Sequence, residues 1–210
     1  AVACSILTIS LSILIASTLS VECQLFLSTY LFLTIVYSFI IKKLIILDVI
    51  TLSILYTLRL VIGHASTEIE LSFWLLAFAI FLFFSLALLK RFIELNEFNI
   101  SSNEMHYIPG RKYLKNDLSI IVPLGVSSGI ISVLVLLLYV NSSAVKILYS
   151  FPLFLMVLAP LFLYWISRMW ILASRNEIQQ DPVIFAIRDK VSYVVASLVI
   201  LTMILAVGFE

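Results

Sequence analysis

Seven stretches of mostly apolar residues, each about the length of a membrane-spanning helix, follow one another along this chain of 210 residues. They cover residues 1–20, 24–41, 44–62, 71–89, 118–140, 148–171 and 191–209. Barrel strands are only about 9–11 residues long and alternate in polarity, whereas these stretches do not alternate. Helices satisfy their own backbone hydrogen bonds in lipid. We therefore expect an all-α polytopic membrane protein with seven transmembrane helices in one domain, residues 1–210.

Composition supports a membrane protein and excludes several other classes. The chain is 63% apolar and 12% charged, with a mean hydropathy of +1.19, whereas soluble domains are about half apolar and about a quarter charged. A net charge of +1 predicts no nucleic-acid partner. If residues 1–19 form a helix, Cys4 and Cys23 lie too far apart for a disulfide. His64 and His106 stand alone, so the spacing predicts no metal ligands.

Basic residues are concentrated in alternate connections between the apolar segments. One set of connections contains Lys42, Lys43, Lys90, Arg91, Arg111, Lys112, Lys115, Arg175, Arg188 and Lys190, while the other set contains Lys146 alone. Lysine and arginine accumulate on the cytoplasmic side of membrane proteins. The first set is therefore predicted to face the cytoplasm, in a bacterial inner or plasma membrane.

The longest polar stretch, residues 90–118, reads KRFIELNEFNISSNEMHYIPGRKYLKNDL. We expect it to be a loop that faces water, with cations suited to holding phosphate. Two simpler interpretations stay open. The cations could be a cytoplasmic flank, and Lys90 could form an ion pair with Glu94, four residues further on.

Two charges in the third segment are candidates for a polar interior. Asp48 and Arg59 are eleven residues apart, about three helical turns, and fall on one helix face. Asp48 could line a cavity or stabilise a helix start. Arg59 could face the bundle interior or extend towards the membrane surface.

Local signals predict three further features. Asp181 followed by Pro182 indicates a helix N-cap with proline at the first position, opening a short interfacial helix. Pro152 and Pro160 predict a kinked sixth segment. A patch of small residues predicts close helix packing; it comprises Ser127, Ser128, Gly129 and Ser132.

Five stretches resemble the UbiA-type intramembrane prenyltransferases, most nearly the branch similar to decaprenyl-phosphate phosphoribosyltransferase. They are YSFIIKKLIILDV (37–49), LRLVIGHAS (58–66), LLKRFIEL (88–95), GRKYLKNDL (110–118) and YWISRMWILASRNEIQQDPVIFAIRDKVS (164–192). The resemblance implies a nine-helix bundle around a cavity, in which the seven segments correspond to helices three to nine. The chain opens at Ala1 in an apolar segment, so we expect an N-terminally truncated fragment.

The resemblance also implies a reaction and its residues. Two aspartate-rich loops of the family hold Mg²⁺ and a diphosphate substrate; the first is expected to precede this chain, and the second corresponds to residues 90–117. A prenyl or phosphoribosyl group would pass from a diphosphate donor to an acceptor such as a polyprenyl phosphate. The implied roles are phosphate binding by Lys90, Arg91, Arg111 and Lys42, orientation of the substrate by Tyr113 and Asp117 as catalytic residues, and lining of the cavity by Asp48, Glu94, Arg188 and Asp189.

Two other functions remain open from the sequence. A transporter or lipid flippase would carry charges or broken helices near the middle of the membrane. A non-catalytic membrane scaffold would need no reacting group, and the missing first motif keeps this alternative open. Polar groups gathered at one face favour chemistry on a lipid over a path across the bilayer.

Overall fold

A computed structural model describes residues 18–65, 72–101, 111–178 and 181–208. The described ranges contain eight α-helices: α1 (Val21–Phe39), α2 (Leu47–Ala65), α3 (Phe73–Ser101), α4 (Leu118–Val140), α5 (Ser143–Leu148), α6 (Leu158–Ser174), α7 (Pro182–Arg188) and α8 (Lys190–Val207). Short 3-10 helices lie at Ile41–Lys43, Lys115–Asp117 and Pro152–Val157. Every regular element in these ranges is a helix, which confirms the predicted all-α class for the described residues.

Six of the predicted spans are confirmed as helices long and apolar enough to cross a membrane. They are Val21–Phe39, Leu47–Ala65, Phe73–Glu97, Lys115–Val140, Pro152–Ser174 and Lys190–Val207. The predicted first span, 1–20, and with it Cys4, falls almost wholly outside the described residues. Cys23 is a buried free thiol.

The polarity of the helices is arranged as lipid requires. Large apolar side chains such as Leu31, Ile130 and Leu134 are exposed on the outside of the bundle. Buried polar groups, among them Asp48 and Arg91, lie inside it. A helix surrounded by hydrocarbon gains nothing by hiding leucine, whereas it gains by burying any group that needs a polar partner.

The most extensive helix contact joins α3 to α4, where the small residues of α4 lie. The Ser128 hydroxyl donates to the carbonyl of Phe81 at 2.8 Å, and the Ser85 hydroxyl donates to the carbonyl of Gly125 at 2.7 Å. A Cβ on Gly129 would stand 3.0 Å from the Ser85 Oγ of α3 and 2.6 Å from Ile166 of α6. The predicted close packing is confirmed, because small side chains let two backbones approach and exchange hydrogen bonds.

The expectation of a water-facing loop from residue 90 onwards is wrong for its first part. α3 continues without interruption to Ser101, about three turns beyond the apolar segment. Within that extension Arg91 is 0% exposed. Lys90, Arg91 and Glu94 of this extension pair with residues of other elements, which local sequence does not reveal.

The sixth segment, in which a kink was predicted, changes helix type along its length. Pro152 opens a 3-10 helix that continues to Val157, and α6 begins only at Leu158. Proline removes a backbone donor and is tolerated best at the start of a helix. The irregular end is anchored by the amide of Phe151, which donates to the carbonyl of Ala206 in α8 at 2.9 Å.

Candidate functional site

One end of the bundle carries a ring of two arginines and two carboxylates. Arg91 Nε donates to Asp48 Oδ2 at 2.6 Å, and Arg111 Nη1 donates to the same oxygen at 3.3 Å. Glu94 Oε2 accepts from Arg91 Nη1 and lies 3.3 Å from Arg111 Nε. Each carboxylate therefore binds both arginines, which joins the start of α2, the extension of α3 and the segment before α4.

Tyr113 connects the same segment to α2. Its hydroxyl donates to Asp48 Oδ1 at 2.6 Å and accepts from the amide of Ile46 at 2.9 Å. Burial, together with the hydrogen bond to Asp48, raises the pKa of the Tyr113 hydroxyl, so this hydroxyl stays protonated and acts as the donor. Ile46 has a φ of 65°, a strained conformation for a β-branched residue that these contacts hold in place.

Asp48 is thus fully used, with three side-chain donors on its two oxygens and 0% exposure. Of its two predicted roles, lining a cavity and stabilising a helix start, neither describes Asp48 fully, because both of its oxygens are bound by side chains from other elements. A buried carboxylate is tolerated only when it is paired and hydrogen-bonded. Tyr37 of α1 also reaches the cluster, since its hydroxyl accepts from Arg91 Nη2 at 3.3 Å.

Lys90 points away from this ring and pairs with another element. Its ammonium lies 2.5 Å from Asp181 Oδ2, so the predicted pairing with Glu94 is wrong. Asp181 is also the N-cap of α7, as predicted, because its side chain accepts from the amide of Val183. Burial opposes ionisation of Asp181, but the hydrogen bonds from Lys90 and Val183 outweigh burial and lower the pKa of this carboxyl.

Lys90 and Asp181 form one end of an apolar groove. The groove is shallow and lies between α2, α3 and the start of α7, with about 30 Å³ of interior space, room for one or two water molecules. Its walls comprise Leu52, Tyr56, Phe83, Leu86, Ala87, Pro182 and Val183. The ring of Tyr56 stacks on that of Phe83 with centroids 5.3 Å apart. Its apolar walls beside a cation match the chemistry of a lipid with a charged head, and the helices would have to separate further to admit one.

Four other predicted residues lie elsewhere. Asp117 accepts from the amide of Leu114 at 2.8 Å, a local role at the turn before α4. Lys42 is half-buried in the 3-10 turn and makes no ion pair within the described ranges. Arg188 is exposed in the last turn of α7. Asp189 binds Arg168 through two hydrogen bonds, of 2.6 and 3.0 Å, and caps α8 through Ser192.

The connection between α6 and α7 contacts the extension of α3 through two residue pairs that the sequence did not predict. Asp181 was recognised only as a helix cap, and its pairing with Lys90 spans 91 residues. Asn96 Nδ2 donates to Asn176 Oδ1 at 2.5 Å, across 80 residues. Neither pairing could be predicted from the spacing of residues within one helix, because its two partners lie on different elements.

Arg59 extends towards the middle of its helix. It lies about 9 Å along α2 from the end at Ala65. Its guanidinium donates to the Tyr30 hydroxyl at 2.7 and 3.1 Å and lies over Tyr56, three residues earlier in the chain, at 5.0 Å from the ring centroid. It therefore leans away from the nearer helix end, but its side chain is exposed, so neither predicted alternative, the bundle interior or the membrane surface, describes it fully.

The described ranges contain no group of three Asp, Glu, His or Cys side chains that could hold a metal ion by themselves. Magnesium prefers several oxygen ligands in octahedral geometry. The carboxylates nearest the predicted phosphate site, Asp48 and Glu94, are already bound to arginines.

The titration of Asp189 should make the free energy of unfolding depend on pH. Burial raises the pKa of this carboxyl, but hydrogen bonds from Arg168 and Ser192 outweigh burial and lower it below the ordinary value of about 4. Because the folded pKa is the lower one, the stabilisation is complete above about pH 4 and is lost as the pH falls through the folded pKa.

Replacing Asp189 with Asn is expected to cost about 1.5–3 kcal/mol of unfolding free energy at pH 7, the contribution of hydrogen bonds to a charged group. Unfolding in detergent at pH 7 and pH 3 measures this, and the cost should shrink at pH 3. Glu177→Gln, in an exposed pair 3.9 Å from Arg175, is the control. A cost that is equal at both pH values would contradict the prediction.

Fold and site together define an all-α protein with helices of membrane-spanning length and a buried arginine–carboxylate ring at one end of its bundle. No known protein-family profile matches the chain. Over 181 residues, 85% of the chain, it is 37% identical to "Uncharacterized protein y4nM" of Sinorhizobium fredii. Over 168 residues, 80% of the chain, it is 32% identical to "Nodulation protein NoeC" of Azorhizobium caulinodans. The matches span 34% and 54% of the length of these two relatives.

Proposed function

We propose that this chain forms part of a UbiA-type membrane transferase, which moves a prenyl or phosphoribosyl group from a diphosphate donor to an acceptor such as a polyprenyl phosphate. The observation that carries the proposal is the placement of Lys90 at the end of an apolar groove, next in sequence to the arginine ring. A lipid phosphate needs both surfaces, one for its hydrocarbon chain and one for its head.

Cations at this end of the bundle suit a reaction that releases diphosphate. Negative charge grows on the leaving oxygens as the bond to the transferred group breaks, and preorganised donors in a water-poor site stabilise that charge. Lys90 and Arg111 are partly exposed, with side chains 36% and 19% accessible. Among the cations of the ring and the groove, Lys90 and Arg111 are the two that a substrate can reach. A Mg²⁺ ion, which the resemblance implies, would be held by one or two carboxylates together with the phosphates of the substrate.

We place the site on the cytoplasmic side of a bacterial inner membrane. The contacts of Asp48, Arg91, Arg111, Lys90 and Asp181 bring the predicted cytoplasmic connections together at one end of the bundle. Enrichment of basic residues on that side supports this orientation. The two relatives are from rhizobial bacteria, which supports a bacterial membrane.

One observation favours a second candidate, a lipid flippase. Arg59 is held towards the middle of its helix against Tyr56, and Tyr56 also lines the groove. Charged residues at that depth mark substrate paths in transporters.

The test uses the complete protein in which this chain lies, reconstituted in liposomes with Mg²⁺. Diphosphate release is measured with phosphoribosyl diphosphate or a prenyl diphosphate as donor and a polyprenyl phosphate as acceptor. Lys90→Ala and Arg111→Ala are each expected to lower kcat/KM about 100-fold, as expected for loss of a transition-state charge contact. Lys112→Ala and Lys115→Ala are matched controls, because both lysines are exposed in the same segment.

Transfer of the group with this pattern of variants supports the proposal. Movement of a labelled lipid between leaflets without diphosphate release would favour the flippase. Neither activity, or a loss that is equal in all four variants, would overturn the proposed role of these cations.

A further inference from the structure

The two arginines of the ring differ in how firmly they are held. Arg91 is 0% exposed and binds Asp48 at 2.6 Å, Glu94 at short range and Tyr37 at 3.3 Å. Arg111 has a side chain that is 19% exposed, and its contacts to Asp48 and Glu94 are both 3.3 Å. Arg111 is therefore the member whose contacts are long and open to solvent.

The hydrogen-bond pattern allows Arg111 to leave without stranding a carboxylate. Without Arg111, Asp48 would still accept from Arg91 and Tyr113, and Glu94 would still accept from Arg91. The loss of Arg91 would instead remove the shortest ion-pair contact from each carboxylate. Since an unpaired buried carboxylate is costly, only Arg111 can change partners cheaply.

The charge of the ring explains why such an exchange is needed. Two guanidinium groups and two carboxylates sum to zero, so the ring as it stands offers an anion no net attraction. A phosphate that approaches the exposed side of Arg111 must compete with Asp48 and Glu94 for its donors. Guanidinium binds phosphate through two parallel hydrogen bonds, which are stronger than two single contacts at 3.3 Å.

We infer that Arg111 is an exchangeable phosphate-binding cation, and that Asp48 and Glu94 are positioning residues that hold it at the site until a phosphate or diphosphate group replaces them. Arg91 and Tyr113 then keep both carboxylates satisfied. No bond is made or broken in this step, in which a guanidinium exchanges one set of hydrogen bonds for another. The inference rests on the proposed function for the identity of the ligand.

The test measures binding of inorganic diphosphate to the complete protein by calorimetry at one fixed salt concentration, because salt screens such contacts. Glu94→Gln removes a charged competitor for Arg111, and we expect diphosphate to bind about 3–10 times more tightly. Glu97→Gln, exposed one turn further along α3, is the matched control and should change the affinity less than twofold.

A double variant separates exchange from a general change in charge. In the Arg111→Gln background, Glu94→Gln should no longer raise the affinity, because the gain depends on releasing Arg111. An unchanged or lower affinity in Glu94→Gln would overturn the inference, as would the same gain with and without Arg111. Melting curves of each variant show that the compared proteins are folded.

The outcomes also separate this inference from the proposed function. Tighter diphosphate binding in Glu94→Gln without any group transfer by the parent protein would retain the exchange and reject the transferase. Group transfer by the parent protein with unchanged diphosphate affinity in Glu94→Gln would retain the transferase and reject the exchange.

Discussion

Replacing Arg91 with methionine is expected to lower the free energy of unfolding by about 3–5 kcal/mol, the usual cost of removing one partner from a buried ion pair. Arg91 is 0% exposed and provides the shortest ion-pair contacts of both Asp48 and Glu94. Methionine fills a similar volume but donates nothing. Arg111, at 3.3 Å from Asp48, only partly compensates.

The cost comes from the stranded carboxylate, and the double variant Arg91→Met with Asp48→Asn tests this. Removing the negative charge of Asp48 should restore part of the lost stability, which a simple packing defect would not allow. Chemical unfolding in detergent micelles measures both variants. Arg175→Met is the control, since the Arg175 side chain is 65% exposed and should be replaceable at little cost. Equal stability of the Arg91 and Arg175 variants would refute the burial argument.

The second large effect is expected at Gly125, where alanine should destabilise the fold by about 3 kcal/mol, at the upper end of the usual cost of overpacking. A Cβ there would lie 2.2 and 2.5 Å from the Trp170 ring and 3.2 Å from Leu88. Trp170 cannot easily move aside, because it is buried and its Nε1 donates to the Ser85 hydroxyl at 3.2 Å.

Gly63 provides the matched control within a helix of the same bundle. A Cβ at Gly63 meets nothing within 4 Å, so Gly63→Ala should be neutral or stabilising by up to about 1 kcal/mol through helix propensity. Adding Trp170→Leu to Gly125→Ala should recover part of the loss by making room. If Gly125→Ala unfolds at the same denaturant concentration as the parent, the close approach of α4 and α6 is not what stabilises this interface.

The helices were predictable because each apolar segment must satisfy its own backbone in lipid. The fifth predicted segment, 118–140, coincides with α4 to the residue, and the cap at Asp181 was also recognised. These features depend on residues within a few positions of each other. The end of α3 was not predictable, because the charges at 90–97 have the composition of a loop.

The candidate site was likewise predictable only in part. The basic residues on one side of the membrane were visible as a charge pattern, and Asp48 and Glu94 were recognised as candidates for a cavity. The partners were not visible. Arg91 meets Asp48 across 43 residues, Tyr113 meets Asp48 across 65, and Lys90 meets Asp181 across 91.

By itself, the sequence determined that this protein is a helical bundle with helices of membrane-spanning length and with its cations concentrated in alternate connections, because hydropathy and charge act over one helix at a time. Only the tertiary structure decided which cation is buried and which is exposed to a ligand. It also decided which carboxylate each cation binds. Those choices depend on the distances between side chains of different helices, and helix packing sets these distances.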